Sequence, residues 1–152
     1  MHSISKTTIV PYTPQEMYSL VNAVESYPEF LTWCSQSVVH HRNEEELKAT
    51  LVMSAAGFTQ SITTHNRMQK DKMIEIRLVD GPLKHLESFW RFESIEPPSN
   101  TSTSTPHCHI FFDIEFEFSN FLMKMTLEPL FSKIADTLME NFCTRADTLY
   151  KK

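Results

Sequence analysis

Pro129-Leu130-Phe131-Ser132-Lys133-Ile134-Ala135-Asp136-Thr137-Leu138-Met139-Glu140-Asn141-Phe142-Cys143-Thr144-Arg145-Ala146-Asp147-Thr148-Leu149-Tyr150 is the one long segment of the chain with an uninterrupted helical period. Leu130, Phe131, Ile134, Leu138, Phe142, Ala146 and Leu149 recur at steps of mostly three and four, which puts them on one face of a 3.6-residue helix. Lys133, Asp136, Glu140, Asn141, Arg145 and Asp147 occupy the other face. A helix of about 22 residues is roughly 33 Å long, the width of a small domain. No other segment reads as a partner helix of that length, so the apolar stripe is expected to lie across a sheet. Pro129 cannot donate to the carbonyl of Met125, so a helix beginning near Asn120 is expected to kink or restart there. Phe121 to Met125 would then form a hinged apolar flap.

The sheet is legible upstream. Ser3 to Val10, Ser37 to His41, Leu47 to Ser54, Phe58 to Met68, Met73 to Val79, His85 to Ile95 and His107 to Phe118 each read as a strand, bounded by short polar or Gly/Pro links that favour antiparallel neighbours. The last strand alternates most clearly, with Cys108, Ile110, Phe112, Ile114, Phe116 and Phe118 on one side and mostly polar residues on the other. Thr13-Pro14-Gln15-Glu16 carries a cap, a proline at the first helical position and a capping-box glutamate. It predicts a short helix that buries Met17, Leu20, Val21 and Val24. Ser26 to Cys34, rich in aromatics and broken by Pro28, predicts a break and one helical turn. The loop from Pro97 to Pro106 is polar and of low complexity and is expected to be mobile. The order strand, short helices, six strands, long helix is that of an α+β domain, residues 1–152 forming a single unit. A six- or seven-stranded antiparallel sheet that curves around one long helix leaves a gap on its concave face.

Composition bounds the function. With 152 residues, 41% hydrophobic and 22% charged, the chain can bury an ordinary core. A net charge of −5 disfavours DNA as a partner. Cys34, Cys108 and Cys143 show no metal-ligand spacing and suit reduced thiols in a cytoplasmic protein. Neither a membrane span nor a secretory leader is expected. The two glycines exclude a Gly-rich phosphate cradle. Asp113, Glu115 and Glu117 share a strand face and could do acid and base work, but they alternate with the apolar side and are expected on the solvated face. His107 and His109 lack a third metal ligand, and Cys34 lacks a base. No catalytic residue and no metal site is therefore assigned. Eleven Phe and eight Met suit either a bulky core that fills the gap or an adaptable apolar wall around a ligand. Trp33, Phe58, Trp90, Phe92, Phe112, Phe131, Leu138 and Phe142 are assigned to this wall.

Several segments in order carry a family resemblance: Thr8-Ile9-Val10-Pro11-Tyr12, Met17-Tyr18-Ser19-Leu20-Val21, Ser26-Tyr27-Pro28-Glu29-Phe30-Leu31, Leu78-Val79-Asp80-Gly81-Pro82-Leu83-Lys84-His85-Leu86, Trp90-Arg91-Phe92, and Phe142 through Tyr150. Together they resemble the coenzyme Q-binding and ribosome association toxin family of START-like domains, within the polyketide cyclase/dehydrase and lipid transport group. Thr32 and Leu83 depart from the pattern, where many members have proline and phenylalanine. The resemblance implies a helix-grip fold and no required cofactor. It implies non-catalytic binding of ubiquinone or a similar isoprenoid lipid in support of respiration, with transient contact at the bacterial inner membrane. A second implied activity is association with the large ribosomal subunit that blocks subunit joining, and a third is cyclase-like chemistry. Arg77, Arg91 and Thr64 are the conceivable donors to a quinone head group.

Overall fold

The computed structural model describes residues 1–55, 57–97 and 106–151. Residues 98–105 of the expected mobile loop lie outside the described residues. Seven strands, β1 (His2–Val10), β2 (Cys34–Arg42), β3 (Glu46–Ala55), β4 (Phe58–Gln69), β5 (Met73–Asp80), β6 (Leu83–Ile95) and β7 (His107–Phe118), form one antiparallel sheet in the order β1-β7-β6-β5-β4-β3-β2. Every neighbour after β2 is joined by a direct link. The exception is β1, whose pairing with β7 joins His2 to Phe116 across nearly the whole chain.

Between the edge strands β1 and β2 runs α1 (Pro14–Asn22), followed by a 3-10 helix, Val24–Glu29. Their start is fixed locally. The Thr13 hydroxyl accepts from the Glu16 amide at 3.1 Å, and the Glu16 carboxylate accepts from the Thr13 amide at 2.9 Å. Two of the orphan donors at the helix start are thereby satisfied. Tyr12 and Met17, flanking this box, are both buried as a hydrophobic staple requires.

The long helix, α2 (Phe121–Tyr150), is continuous over 30 residues with Asn120 as its cap and Pro129 inside it. The expected restart at Pro129 does not occur. Asn120 accepts from the Met123 amide at 2.9 Å and so starts the helix two turns earlier. The buried stripe is Leu127, Phe131, Ile134, Ala135, Met139, Phe142 and Ala146, while Leu149 is exposed, contrary to the sequence reading. A stripe on a straight helix drifts, and by the last turn it has rotated past Leu149. α2 lies close to β7, β1 and α1 and stands further from β3, β4 and β5.

The β7 alternation holds from Cys108 onward, with His107 at the strand start buried against expectation. Cys108, Ile110, Phe112, Ile114, Phe116 and Phe118 are all buried on the concave side. Trp90 stacks on Phe112 at 4.3 Å between centroids and meets Phe142 of α2 edge-on at 5.3 Å. Phe131 meets Phe116 at 4.6 Å. On the convex side Phe111 is covered by the Arg91 guanidinium at 4.0 Å and by the His109 ring at 4.1 Å, which accounts for an aromatic residue in the polar phase.

Candidate functional site: an apolar cavity under the long helix

Where α2 stands off the sheet, a cavity of about 110 Å³ remains. Its floor is the concave face of β3 to β7, and α2 roofs it with Phe131, Ile134, Ala135, Leu138 and Phe142. One end is closed by Tyr27 and Trp33 from the segment that joins the sheet edges. Trp33, Leu51, Met53, Ile76 and Leu138 are only half-buried, so the softest part of the wall lies on the β2–β5 side.

Of the eight residues assigned to the wall from sequence, Trp33, Trp90, Phe112, Phe131, Leu138 and Phe142 line this space. Phe58 and Phe92 do not. Both have the parity of the concave face but lie too far along their strands. Phe58 sits at the first residue of β4 against Pro82, Leu127 and Leu130 and is 38% exposed. Phe92 is covered by α1, with Tyr18 edge-on at 6.0 Å.

The polar lining was largely missed. Thr64, Asn66 and Ser88 are set among the apolar residues of the floor. Register places Asn66 opposite Ile76 and Ile76 opposite Ser88, so the two polar residues flank one isoleucine in a row across β4, β5 and β6. The Thr64 hydroxyl donates to the Asn66 carbonyl oxygen at 3.2 Å. The Ser88 hydroxyl and the Trp33 indole N–H are buried with no hydrogen-bond partner among the described residues. A signal existed. Ser88 interrupts the phase Leu86, Trp90, Phe92, and Asn66 interrupts Ile62, Met68. Of the conceivable donors, only Thr64 reaches the cavity. Arg77 and Arg91 have the opposite parity and are tied on the convex face, Arg77 to Glu75 at 2.9 Å and Arg91 to Glu93 at 3.3 Å.

No charged side chain lines the cavity among the described residues. Its one ionisable group is Tyr27, whose hydroxyl donates to the Val21 carbonyl and whose pKa is pushed up by burial. None of the cysteines lines it. Burial raises the thiol pKa of Cys34, pushes that of Cys108 to about 12 and raises that of Cys143, which keeps all three as thiols rather than nucleophilic thiolates. Asp113, Glu115 and Glu117 lie on the convex face with Ser5, His85 and Lys84 as partners. His107 is buried at the start of β7, while His109 contacts Thr7 at 2.7 Å, so the two histidines do not converge. His85, Glu87 and Glu115 do cluster, within 4.8 Å of one another, but they belong to an ion-pair lattice with Arg77, which lies 3.8 Å from Glu87.

The family model described as polyketide cyclase / dehydrase and lipid transport matches residues 10–143. The ribosome association toxin RatA of Pseudomonas aeruginosa is 35% identical over 97% of this chain and 96% of its own length. The mitochondrial coenzyme Q-binding protein COQ10 of Dictyostelium discoideum is 28% identical over 95% of this chain and 68% of its own. Among solved structures, the ZhuI aromatase/cyclase from Streptomyces sp. R1128 superposes with a TM-score of 0.72 at 12% identity, covering 96% of this chain and 93% of that one. A START superfamily protein from Mycobacterium smegmatis does so with a TM-score of 0.69 at 17% identity, covering 98% and 99%. These likenesses carry the fold. No helix among the described residues is long and apolar enough to cross a membrane.

Proposed function

Because the chain belongs to the polyketide cyclase / dehydrase and lipid transport family, we propose that it binds an uncharged hydrophobic ligand without transforming it, ubiquinone being the best candidate. The observation that carries this reading is a cavity walled by apolar and aromatic side chains, with no charged group among the described residues that line it. A carboxylate or ammonium ligand would be buried there unpaired, at a cost of several kcal/mol. Acid–base chemistry would need a titrating group in reach of the ligand, and Tyr27, already donating to Val21, offers none near neutral pH. The absence of such a group among the described lining residues supports binding without chemistry over a cyclase-like reading.

Size limits what enters. A space of about 110 Å³ suits one ring or one prenyl unit, since an engineered cavity of about 150 Å³ takes benzene. Drug-sized ligands occupy roughly 300–1,000 Å³. In this reading the quinone ring lies beside the polar groups of the floor, and the tail is accommodated when half-buried Trp33, Met53 and Leu138 rotate aside. The proposed site of action is the bacterial cytoplasm and the inner face of the inner membrane, where such a tail partitions. The test is organic extraction of the protein purified from a quinone-producing host, followed by mass spectrometry. Ubiquinone near one molecule per chain is the expected result, and its absence beside a buffer control overturns the reading.

A second reading, a ribosome association toxin, is favoured by one observation. The RatA relative is 35% identical, above the 28% of the coenzyme Q-binding relative. Its surface would be external, so it is compatible with a loaded cavity. Sucrose-gradient profiles of a cell extract with added protein are expected to lose joined ribosomes if it holds. An unchanged profile removes it.

A further inference from the structure

The first turns of α2 are apolar on the side that faces away from the sheet as well as on the side that faces it. Leu127, Phe131 and Ile134 point inward and are buried. At about 100° per residue, Phe121, Leu122, Met125 and Pro129 fall on the opposite side of the helix, where all four are exposed. A surface helix ordinarily carries polar residues there. Between Phe121 and Lys133 the helix has two lysines, Lys124 and Lys133, both exposed and flanking the stripe, against one half-buried carboxylate, Glu128. Its first turn holds no acidic residue, so the positive end of the helix dipole is not offset. Asp136, the next carboxylate on this side, is paired with Lys6 at 2.8 Å. On a chain of net charge −5 this end of α2 is locally cationic.

The stripe is continuous with the cavity. Half-buried Leu130 stands on the flank of the helix and, with Leu127, Phe131 and Phe58, lines a small apolar recess between α2 and the start of β4. Met53, Ile62 and Phe131 line both this recess and the cavity. Apolar surface thus runs from the outside of α2, around its flank, to the ligand space.

We propose that this face docks the protein on an anionic lipid bilayer, with the first two turns of α2 lying in the interface, an inference that rests on the hydrophobic-ligand reading above. A helical segment with one apolar side and lysines at its borders binds a membrane surface by sinking about 5–10 Å into it, while the lysine stems reach back to the headgroups. A ligand tail that leaves past Met53 and Phe58 then passes into acyl chains rather than water. A second copy of the chain is the poorer occupant. Phe121, Leu122 and Met125, at no more than about 250 Å² each, fall short of the roughly 800 Å² per partner that a stable protein interface buries. Contact with an RNA backbone would call for basic side chains in place of the stripe itself.

The experiment is co-sedimentation of the full chain with quinone-free vesicles of phosphatidylethanolamine and phosphatidylglycerol, beside neutral phosphatidylcholine vesicles. Ubiquinone extraction of the same preparation is run separately. The protein is expected to pellet with the anionic vesicles and more weakly with the neutral ones. Leu122→Gln/Met125→Gln puts a good helix former at two exposed positions and so keeps the fold. It should lower partitioning onto both vesicle types by roughly tenfold or more. Lys124→Gln should lower it about fivefold on the anionic vesicles only. Absence of the wild-type protein from the anionic pellet overturns the docking face, and ubiquinone in the extract then leaves the ligand reading standing. Pelleting that survives the double substitution overturns the assignment to α2. If the double variant instead loses an effect on sucrose-gradient ribosome profiles, with no vesicle binding, the face belongs to the ribosome. If the same substitutions dissociate a wild-type dimer that binds no vesicle, it belongs to a second copy. Either result overturns the proposal. Vesicle binding that the double substitution abolishes upholds the face even where the extract holds no ubiquinone, a result that overturns the quinone reading alone.

Discussion

The two sides of the concave face obey the same alternation and end differently. Along β7 and β6, Ile110, Phe112, Phe116 and Trp90 are at most 2% exposed and meet the aromatic residues of α2. Along β3, β4 and β5, Leu51, Met53 and Ile76 point to the same side of the sheet and stay half-buried. The helix sits over the first group and stands off the second. A curved sheet and a straight rod cannot keep one distance along both, and the fold places its filled core where they are close and its cavity where they diverge.

Paired substitutions can break this comparison. Ile110 and Ile76 are the same residue on the same face, one packed on all sides and one bordering space. Ile110→Ala should cost about 4 kcal/mol and Ile76→Ala about 2 kcal/mol, the upper and lower parts of the range for such truncations. Urea unfolding with an unchanged m-value measures both. Equal costs would mean that the cavity wall is packed as tightly as the core, and the distinction would fail.

Adding volume should give the converse. Ala146 and Ala135 both lie on the buried stripe of α2, but only Ala135 lines the cavity. Ala146→Leu forces atoms into a filled layer and should cost about 1–3 kcal/mol. Ala135→Leu should change stability by less than about 1 kcal/mol, because it extends into free space, and it should reduce quinone binding. A destabilisation by Ala135→Leu as large as that by Ala146→Leu would argue that the space collapses in solution.

The filled side is also pinned by polar contacts. The Tyr12 hydroxyl donates to Asp147 near the end of α2, and the Tyr150 hydroxyl donates to the Glu16 carbonyl at 3.3 Å. Burial, followed by the neighbouring Asp147 carboxylate, pushes the Tyr12 pKa from 10.0 up to about 12. The unfolded chain thus releases this proton first. The contribution of Tyr12 is fully present below pH 10 and is lost as the pH rises through 12. Tyr12→Phe should cost about 1.5 kcal/mol at neutral pH, and the gap between the two proteins should narrow as the pH rises from 10 to about 12. A gap that is constant over that interval would mean that Asp147 does not hold the Tyr12 proton.

Direction was easier to read than distance. Period-two patterning placed Cys108, Ile110, Phe112, Ile114, Phe116 and Phe118 on the buried face of β7, though it missed the burial of His107 at its start, and the Thr13 to Glu16 signature located the start of α1, because both depend on near neighbours alone. Phe58 and Phe92 carried the right parity, yet the position of a residue along its strand relative to a helix tens of residues away in the chain depends on how the sheet coils. Arg77 and Arg91 could have been set aside by the same parity that placed Trp90, since odd positions of β5 and β6 face out. Asn66 and Ser88 were visible only as polar interruptions of an apolar phase. Such interruptions also occur in satisfied cores, and it took the register across β4, β5 and β6 to bring them into one row.

Pro129 tests the difference between the two parts of α2 itself. Beyond it the helix is held by Phe131, Ile134, Phe142 and Ala146, whereas Phe121, Leu122 and Met125 before it are 75%, 74% and 62% exposed. A proline in a helix interior removes one hydrogen bond and clashes with the preceding turn, a cost of about 3 kcal/mol relative to alanine. The helix runs through it nonetheless, so the burden falls on the first two turns, which have little burial to hold them. Pro129→Ala should therefore strengthen residues 121–128 locally while changing global stability by less than about 1 kcal/mol, because those turns can open without unfolding the rest. Amide exchange should slow at Met125 and its neighbours and stay unchanged at Phe142. If Leu127, only 6% exposed, serves as a latch for ligand entry, quinone exchange should slow in the same variant. Slower amide exchange with unaltered ligand exchange would place the entry route on the β2–β5 side, past Trp33 and Met53, and leave the first turns of α2 without a part in ligand entry.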